Sequence, residues 1–294
     1  MNFNWDFVKH WKIYFLISGV ILVFGLTVLP IFGLNLGVDF EGGSRLDIHV
    51  GKSVTQQEMT AFIEEQGLVP NTTQLAADGE YVIMRFTEEI GKERLAALRQ
   101  ALQETYGEQA NIQESTVDPT FARELASKAF IGVLVASVGI AIYVMIRFEY
   151  RFAIAALISL FHDALIVIAF FALLRIEVDL TFIVAVLTVV GYSINDTIVI
   201  FDRIRENMKT TKLKQVEDYQ RLVNESIRQT LARSVNTLVT VVFMAAALFI
   251  LGPDSIRNFS LAMLIGLISG GYSSIFIASQ IWFLWRSRDL RKRK

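Results

Sequence analysis

The stretch GYSINDTIVIFDRIREN, residues 191–207, decides how this chain is read. It sets Ser193, Asn195 and Asp196 inside an apolar run and then ends in alternating charges. The run 181–201 has the roughly 20 residues an α-helix needs to cross a bilayer core at about 1.5 Å per residue. Asp196 is therefore expected within a membrane helix, nearer the end that closes with Asp202, Arg203 and Arg205. An ionised carboxylate at that depth costs from roughly 2.5 to more than 10 kcal/mol, so a partner or a mobile proton is required. The partner on offer is Arg233, at the mouth of the next apolar run, SVNTLVTVVFMAAALFIL.

Two readings of this pair stand side by side. In one it is a static ion pair that orients two helices. In the other it is a proton relay: burial favours the neutral acid, the guanidinium favours the carboxylate, and separating the two makes the group take up or release a proton.

Working outward, the 294 residues are 53% hydrophobic, which places the chain among multispanning membrane proteins. There are no cysteines, which excludes disulfides and thiolate chemistry, and His10, His49 and His162 lie in three separate segments. No metal or cofactor site is expected. A GxxxxGK phosphate loop is absent and no nucleophile sits with a base, so the chain does not read as an enzyme.

Six apolar runs, 13–32, 129–146, 152–174, 181–201, 234–251 and 259–285, predict six transmembrane helices. The first is longer than a signal-peptide core and no small-x-small cleavage site follows, so it reads as a retained anchor. Trp5 and Trp11 suit the interfacial aromatic belt. The domain plan is a lead and first helix at 1–33, an insertion at 34–128, helices two to six at 129–285 and a basic tail at 286–294.

The insertion has a different pattern. Residues 45–50 alternate as a strand, and 54–66 read as a helix with a Thr55-x-x-Glu58 capping box and Gly67 closing it. Two strands, 72–76 and 81–86, flank the turn residues Asp78 and Gly79. A second helix at 88–106 is closed by Gly107, and 111–117 alternates again. Strand, helix, strand, strand, helix, strand is the ferredoxin-like α+β arrangement, which implies no function by itself. The insertion carries 16 acidic and 8 basic residues, a difference of −8, which argues against nucleic acid as a partner.

Basic residues set the orientation. Lys9, Lys12, Arg147, Arg151, the segment 203–228 and the tail hold 17 Lys and Arg, whereas the opposite short loops hold Arg175 and Arg257. Both termini are expected in the cytoplasm and the acidic insertion outside.

Further polar residues lie within the runs. His162 and Asp163 fall near the middle of the third helix, either as a functional site or as a hydrogen-bonded packing pair. Gly266, Gly270, Ser274 and Ala278 recur every four residues, a stripe that lets another helix approach closely. The tail RSRDLRKRK sets topology or holds anionic membrane lipid.

The string 191–207, with LGVDFEGGS at 36–44, SLFHDALI at 159–166 and QTLARSVNT at 229–237, resembles the SecD/SecF family of protein-export membrane proteins, on its SecF side. The resemblance covers essentially the whole chain in order. It implies a six-helix half of the resistance-nodulation-division type in a bacterial plasma membrane, with SecD supplying the other half as a heterodimer. It further implies a role after SecA and SecYEG, in which proton motive force drives movement of an unfolded preprotein. Residue by residue, the family's functional Asp matches Asp196 and its functional Arg matches Arg233; Ser193, Asn195, His162, Asp163 and Asn236 are polar neighbours with a supporting role. Glu41 falls where the family varies and carries no mechanistic weight. The alternative is a non-transporting subunit that stabilises SecD and the translocon. Buried ionisable groups favour the transporting reading, and an exporter of small molecules is more distant.

Overall fold

The computed structural model describes residues 5–76 and 79–292. The turn residue Asp78 and the last two residues of the basic tail lie outside the described residues. In chain order the elements are α1 (Trp11–Phe32), β1 (Asn35–Leu36), α2 (Val38–Glu41), β2 (Gly43–His49), α3 (Gln56–Glu65), β3 (Thr72–Ala76), β4 (Tyr81–Phe86), α4 (Lys92–Tyr106) and β5 (Asn111–Val117). They continue as α5 (Pro119–Arg147), α6 (Tyr150–Leu174), β6 (Glu177–Val178), α7 (Leu180–Thr210), α8 (Val216–Leu251), α9 (Arg257–Ser273), a π-helical turn at Ser274–Ala278, and α10 (Ser279–Lys292). The chain separates into two compact units, Leu36–Ile131 and the remainder, Met1–Asn35 with Gly132–Lys294.

The smaller unit is a four-stranded antiparallel sheet in the order β3-β4-β2-β5 with α3 and α4. Register runs from Ser44 opposite Phe86 to His49 opposite Tyr81, and from Gly43 opposite Val117 to His49 opposite Asn111. The period-2 alternation of β2 sends Leu46 and Ile48 inward, where they meet Met59 and Ile63 of α3 and Leu98 and Leu102 of α4, all buried. Both halves of the capping box form: Glu58 N donates to Thr55 Oγ1 at 3.3 Å and Thr55 N to Glu58 Oε2 at 2.9 Å. Gly42 and Gly43 sit at φ +81° and +96°. A Cβ on Gly43 would lie 2.1 Å from the Phe86 carbonyl oxygen, so neither the backbone conformation nor the space admits a side chain.

The larger unit is a membrane helical bundle, and among the described residues six helices are long and apolar enough to cross a bilayer. Two begin well before their apolar runs. α5 starts at Pro119, with the Asp118 carboxylate accepting from Thr120 and Phe121 N–H groups, and α8 starts at Val216, where Asp218 accepts from Gln215 N–H. Hydropathy marks only the part of a helix that meets lipid, so the polar first turns were invisible to it.

The bundle core is aromatic at one end: Phe152 stacks on Trp282 at 4.7 Å and packs against Phe201 at 4.9 Å. The small-residue stripe is used within the chain. Cβ atoms built on Gly266 and Gly270 would lie 2.4 Å from Val189 and 3.0 Å from Ser193, so the close neighbour is α7. Arg175 ends α6 in the left-handed conformation and directs Nη1 onto the carbonyls of Phe32 and Gly33 at 2.6 and 2.9 Å, which satisfies the C-terminus of α1.

Candidate functional site

Asp163, on α6, is fully buried and has four hydrogen-bond donors among the described residues. Its Oδ1 accepts from His162 Nδ1 at 3.0 Å and from Ser269 Oγ at 2.8 Å. Its Oδ2 accepts from Ser193 Oγ at 2.6 Å and Ser273 Oγ at 2.7 Å. Four donors from three helices fill both oxygens of the carboxylate, which is how a buried acid avoids the cost of desolvation. Ser269 and Ser273 lie one turn apart on α9, so a single face of that helix presents both hydroxyls.

The same ladder continues along α7. Thr197 Oγ1 and Ser274 Oγ lie 2.8 Å apart, and Ser274 also donates to the Ser193 carbonyl at 3.4 Å. Here the helix widens into its π turn, with Ser279 Oγ reaching back to the Ser274 carbonyl at 3.0 Å. Such turns expose carbonyls that an α-helix would occupy and are frequent at functional sites.

Asp196, three residues after Ser193 on α7, meets α8 instead. It is 9% exposed, and Ser234 of α8 is buried beside it. Arg233 acts on Asp196 through its charge, yet among the described residues no ion pair joins the two. The direct pairing expected from the sequence is therefore not formed. Neighbouring helix positions point about 100° apart at 3.6 residues per turn, so when Ser234 faces α7 its neighbour Arg233 turns outward and is exposed.

Arg233 is not alone on that outward face. Asn236, Thr237 and Thr240 are exposed on the same stretch of α8, and Asn195 is exposed on α7 next to Asp196. The two threonines bond back to their own helix, Thr237 to the Arg233 carbonyl at 2.8 Å and Thr240 to that of Thr237 at 2.8 Å. Of the residues expected from sequence, the structure thus brings His162, Asp163 and Ser193 into one cluster, sets Asp196 beside Ser234, and leaves Asn195, Arg233 and Asn236 facing out. Ser269, Ser273, Thr197 and Ser234 were not anticipated, and Ser274 was read only as part of the small-residue stripe; their signal was hydroxyl residues spaced by three or four in otherwise apolar helices. Among the described residues no cluster of three His, Cys, Asp or Glu has the makings of a metal site.

The model of "Protein export membrane protein SecD/SecF, C-terminal" matches residues 97–288, and the "SecD/SecF GG Motif" matches 27–54, around the glycine pair whose geometry excludes a side chain. The chain belongs to the SecD/SecF family of protein-export membrane proteins. Among its SecD/SecF relatives, the protein translocase subunit SecF of Alicyclobacillus acidocaldarius is 44% identical over 296 residues, covering 99% of this chain and 96% of that one. The protein translocase subunit SecDF of Bacillus subtilis is 45% identical over 290 residues, but this chain spans only 39% of its length. The crystal structure of SecDF from Thermus thermophilus, described as a translocon-associated membrane protein, superposes with a TM-score of 0.88 at 31% identity, again over 98% of this chain and 39% of that one. A SecDF structure in a super-membrane-facing form gives 0.73 at 31% identity over 100% of this chain and 40% of that one. As a SecD/SecF member the chain is a multi-pass membrane protein and a SecF-type protein translocase subunit.

Proposed function

We propose that this chain is one half of a proton-driven export machine: with SecD as its heterodimeric partner it uses proton motive force to promote preprotein movement through SecYEG after the SecA-driven step. The observation that carries this reading is the outward face formed by Arg233, Asn236, Thr237 and Thr240 beside Asp196. A guanidinium and an amide exposed at membrane depth are costly against lipid and are expected to face protein or a water-filled cavity. The face is thus incomplete without a second bundle, and the SecDF relatives carry more than twice the length of this chain.

An acid and a cation that influence each other without being locked together make a pair that a partner can engage and release. Asp196 is the proton-carrying group in this reading, Arg233 the cation that modulates it, and Asp163 with its serines a fixed support. No bond is made or broken in the preprotein, so the chain is not an enzyme. Leu36–Ile131 is a ferredoxin-like domain on the extracytoplasmic side that handles the emerging polypeptide, and both termini lie in the cytoplasm of a bacterial plasma membrane, following the basic loops.

Two measurements test this. Protease added to right-side-out membranes cuts within 51–111 and spares the loop 207–226; the reverse pattern overturns the orientation. Reconstitution with the cognate SecD and SecYEG gives gradient-dependent preprotein movement that is lost when this chain is omitted. Full movement without it overturns the functional reading.

A further inference from the structure

A cavity of about 890 Å³ opens where the start of α1, the start of α8 and the end of α10 meet, remote from the polar ladder along α6, α7 and α9. That volume is within the roughly 300–1,000 Å³ typical of small-molecule sites. Its lining is ordered along the helix axes. Phe15, Ile281 and Leu284 form the deeper wall, Trp11 and Trp285 come next, and Lys9, Arg288 and Arg291 form the outer rim. The step from Ile281 to Arg288 is seven residues, about 10 Å at 1.5 Å per residue. An interfacial layer is about 5–8 Å thick on each side of the hydrocarbon core, so this wall passes from acyl depth to headgroup depth. Trp11 and Trp285 mark the boundary, as aromatic belts do.

The rim is also electrostatically unspent. Among the described residues, the side chains of Lys9, Arg288 and Arg291 have no ion-pair or hydrogen-bond partner. Of the two acids that line the cavity, Asp289 is taken by Arg151 and only Glu217 remains to oppose three cations. We infer that this cavity is a binding site for an anionic phospholipid, its phosphate held by Arg288 and Arg291 with Lys9 and its acyl chains along Phe15, Ile281 and Leu284. Two planar guanidinium forks one turn apart suit a phosphate's oxygens, and the apolar wall beneath them suits what is attached to a lipid phosphate rather than to a free one.

The test uses the full chain in detergent with phosphatidylglycerol, phosphatidylcholine or inorganic phosphate added, read by lipid retention in native mass spectrometry and by Tm. Phosphatidylglycerol is retained and raises Tm; the other two do neither. Arg288→Gln/Arg291→Gln weakens retention at least tenfold while keeping the wild-type Tm in phosphatidylcholine. Lys209→Gln/Lys212→Gln, which removes the same charge outside the cavity, changes retention by less than twofold. Equal retention of both lipids, an equal Tm rise with inorganic phosphate, or an equal loss in the Lys209/Lys212 variant overturns the site.

Discussion

Ser193 on α7 donates to Asp163 on α6 at 2.6 Å, and that bond joins the helix that carries Asp196 to the most buried acid in the bundle. Removing the acid leaves Ser193 Oγ, Ser269 Oγ and the His162 Nδ1 without their acceptor, with Ser273 Oγ keeping only the Gly270 carbonyl at 3.2 Å, whereas removing one serine leaves the acid with three donors. Each buried group left unsatisfied costs about 1–3 kcal/mol. Single hydrogen bonds between membrane helices contribute about 0.6 kcal/mol on average and up to about 1.7. Asp163→Ala is therefore expected to cost at least about 3 kcal/mol and Ser193→Ala about 1, measured as unfolding in detergent. Equal costs for the two would mean that Asp163 is not the hub.

Gly43 and Gly107 separate space from strain. Both have positive φ, +96° and +99°, but a Cβ on Gly43 meets the Phe86 oxygen at 2.1 Å while one on Gly107 meets nothing within 4 Å. Gly107→Ala carries backbone strain alone, about 1–3 kcal/mol at φ +99° and ψ +166°. Gly43→Ala adds a clash with the β2–β4 edge, and its loss of stability is expected to be at least twice as large. Chemical unfolding of the full chain, followed through Tyr81 and Tyr106 of this unit, measures both.

The sequence was informative where one physical signal dominated. Twenty apolar residues can only be a span, and Thr55 followed by Glu58 gave the cap that forms. Hydropathy was silent about the polar first turns of α5 and α8, because water is as good a surrounding for those residues as a helix is. In the site, Asp163 and Ser193 were visible as polar residues in apolar runs. Their meeting was not, because which faces of α6, α7 and α9 turn together is decided by packing, such as Gly266 against Val189. The ion pair between Asp196 and Arg233 failed for the same reason. One step along α8 separates Ser234, which is buried beside Asp196, from Arg233, which is exposed.

The lead segment should respond to acid. Asp6 Oδ1 accepts from Asn224 Nδ2 at 2.7 Å and from Lys9 N at 3.0 Å, and Oδ2 from Gln220 Nε2 at 2.8 Å. Partial burial opposes the charge, but these donors outweigh it and hold the carboxyl below its usual range. A depressed folded value means that the stabilisation is present above the unfolded pKa of about 3.9 and is lost as pH falls through the folded value. With no native cysteine, Lys9→Cys and Glu225→Cys take spin labels directly. Their distance distribution is expected to stay narrow from neutral pH down to about pH 4 and to broaden below it. Asp6→Asn should be broad at every pH.

Energy coupling gives the most discriminating prediction. If proton motive force drives this chain as proposed, one charge moved through the membrane field yields about 2.3 kcal/mol per 100 mV, enough to bias a conformational step but not to unfold a domain, so several cycles per preprotein are expected. Every cycle then requires a carboxylate that changes protonation. Asp196→Asn keeps the shape and hydrogen-bonding capacity but removes titration, and Arg233→Lys keeps the charge but loses the planar multi-donor fork. Arg233 is exposed and free of ion pairs among the described residues, so neither substitution breaks an internal bridge. Both variants are expected to insert and to assemble with SecD at wild-type levels. Both should lose the gradient-dependent part of preprotein export at least tenfold while leaving the SecA-driven part unchanged, assayed in proteoliposomes with an imposed proton gradient. If Asp196→Asn exports at the wild-type rate under that gradient, Asp196 carries no proton, and its place beside Ser234 is structural.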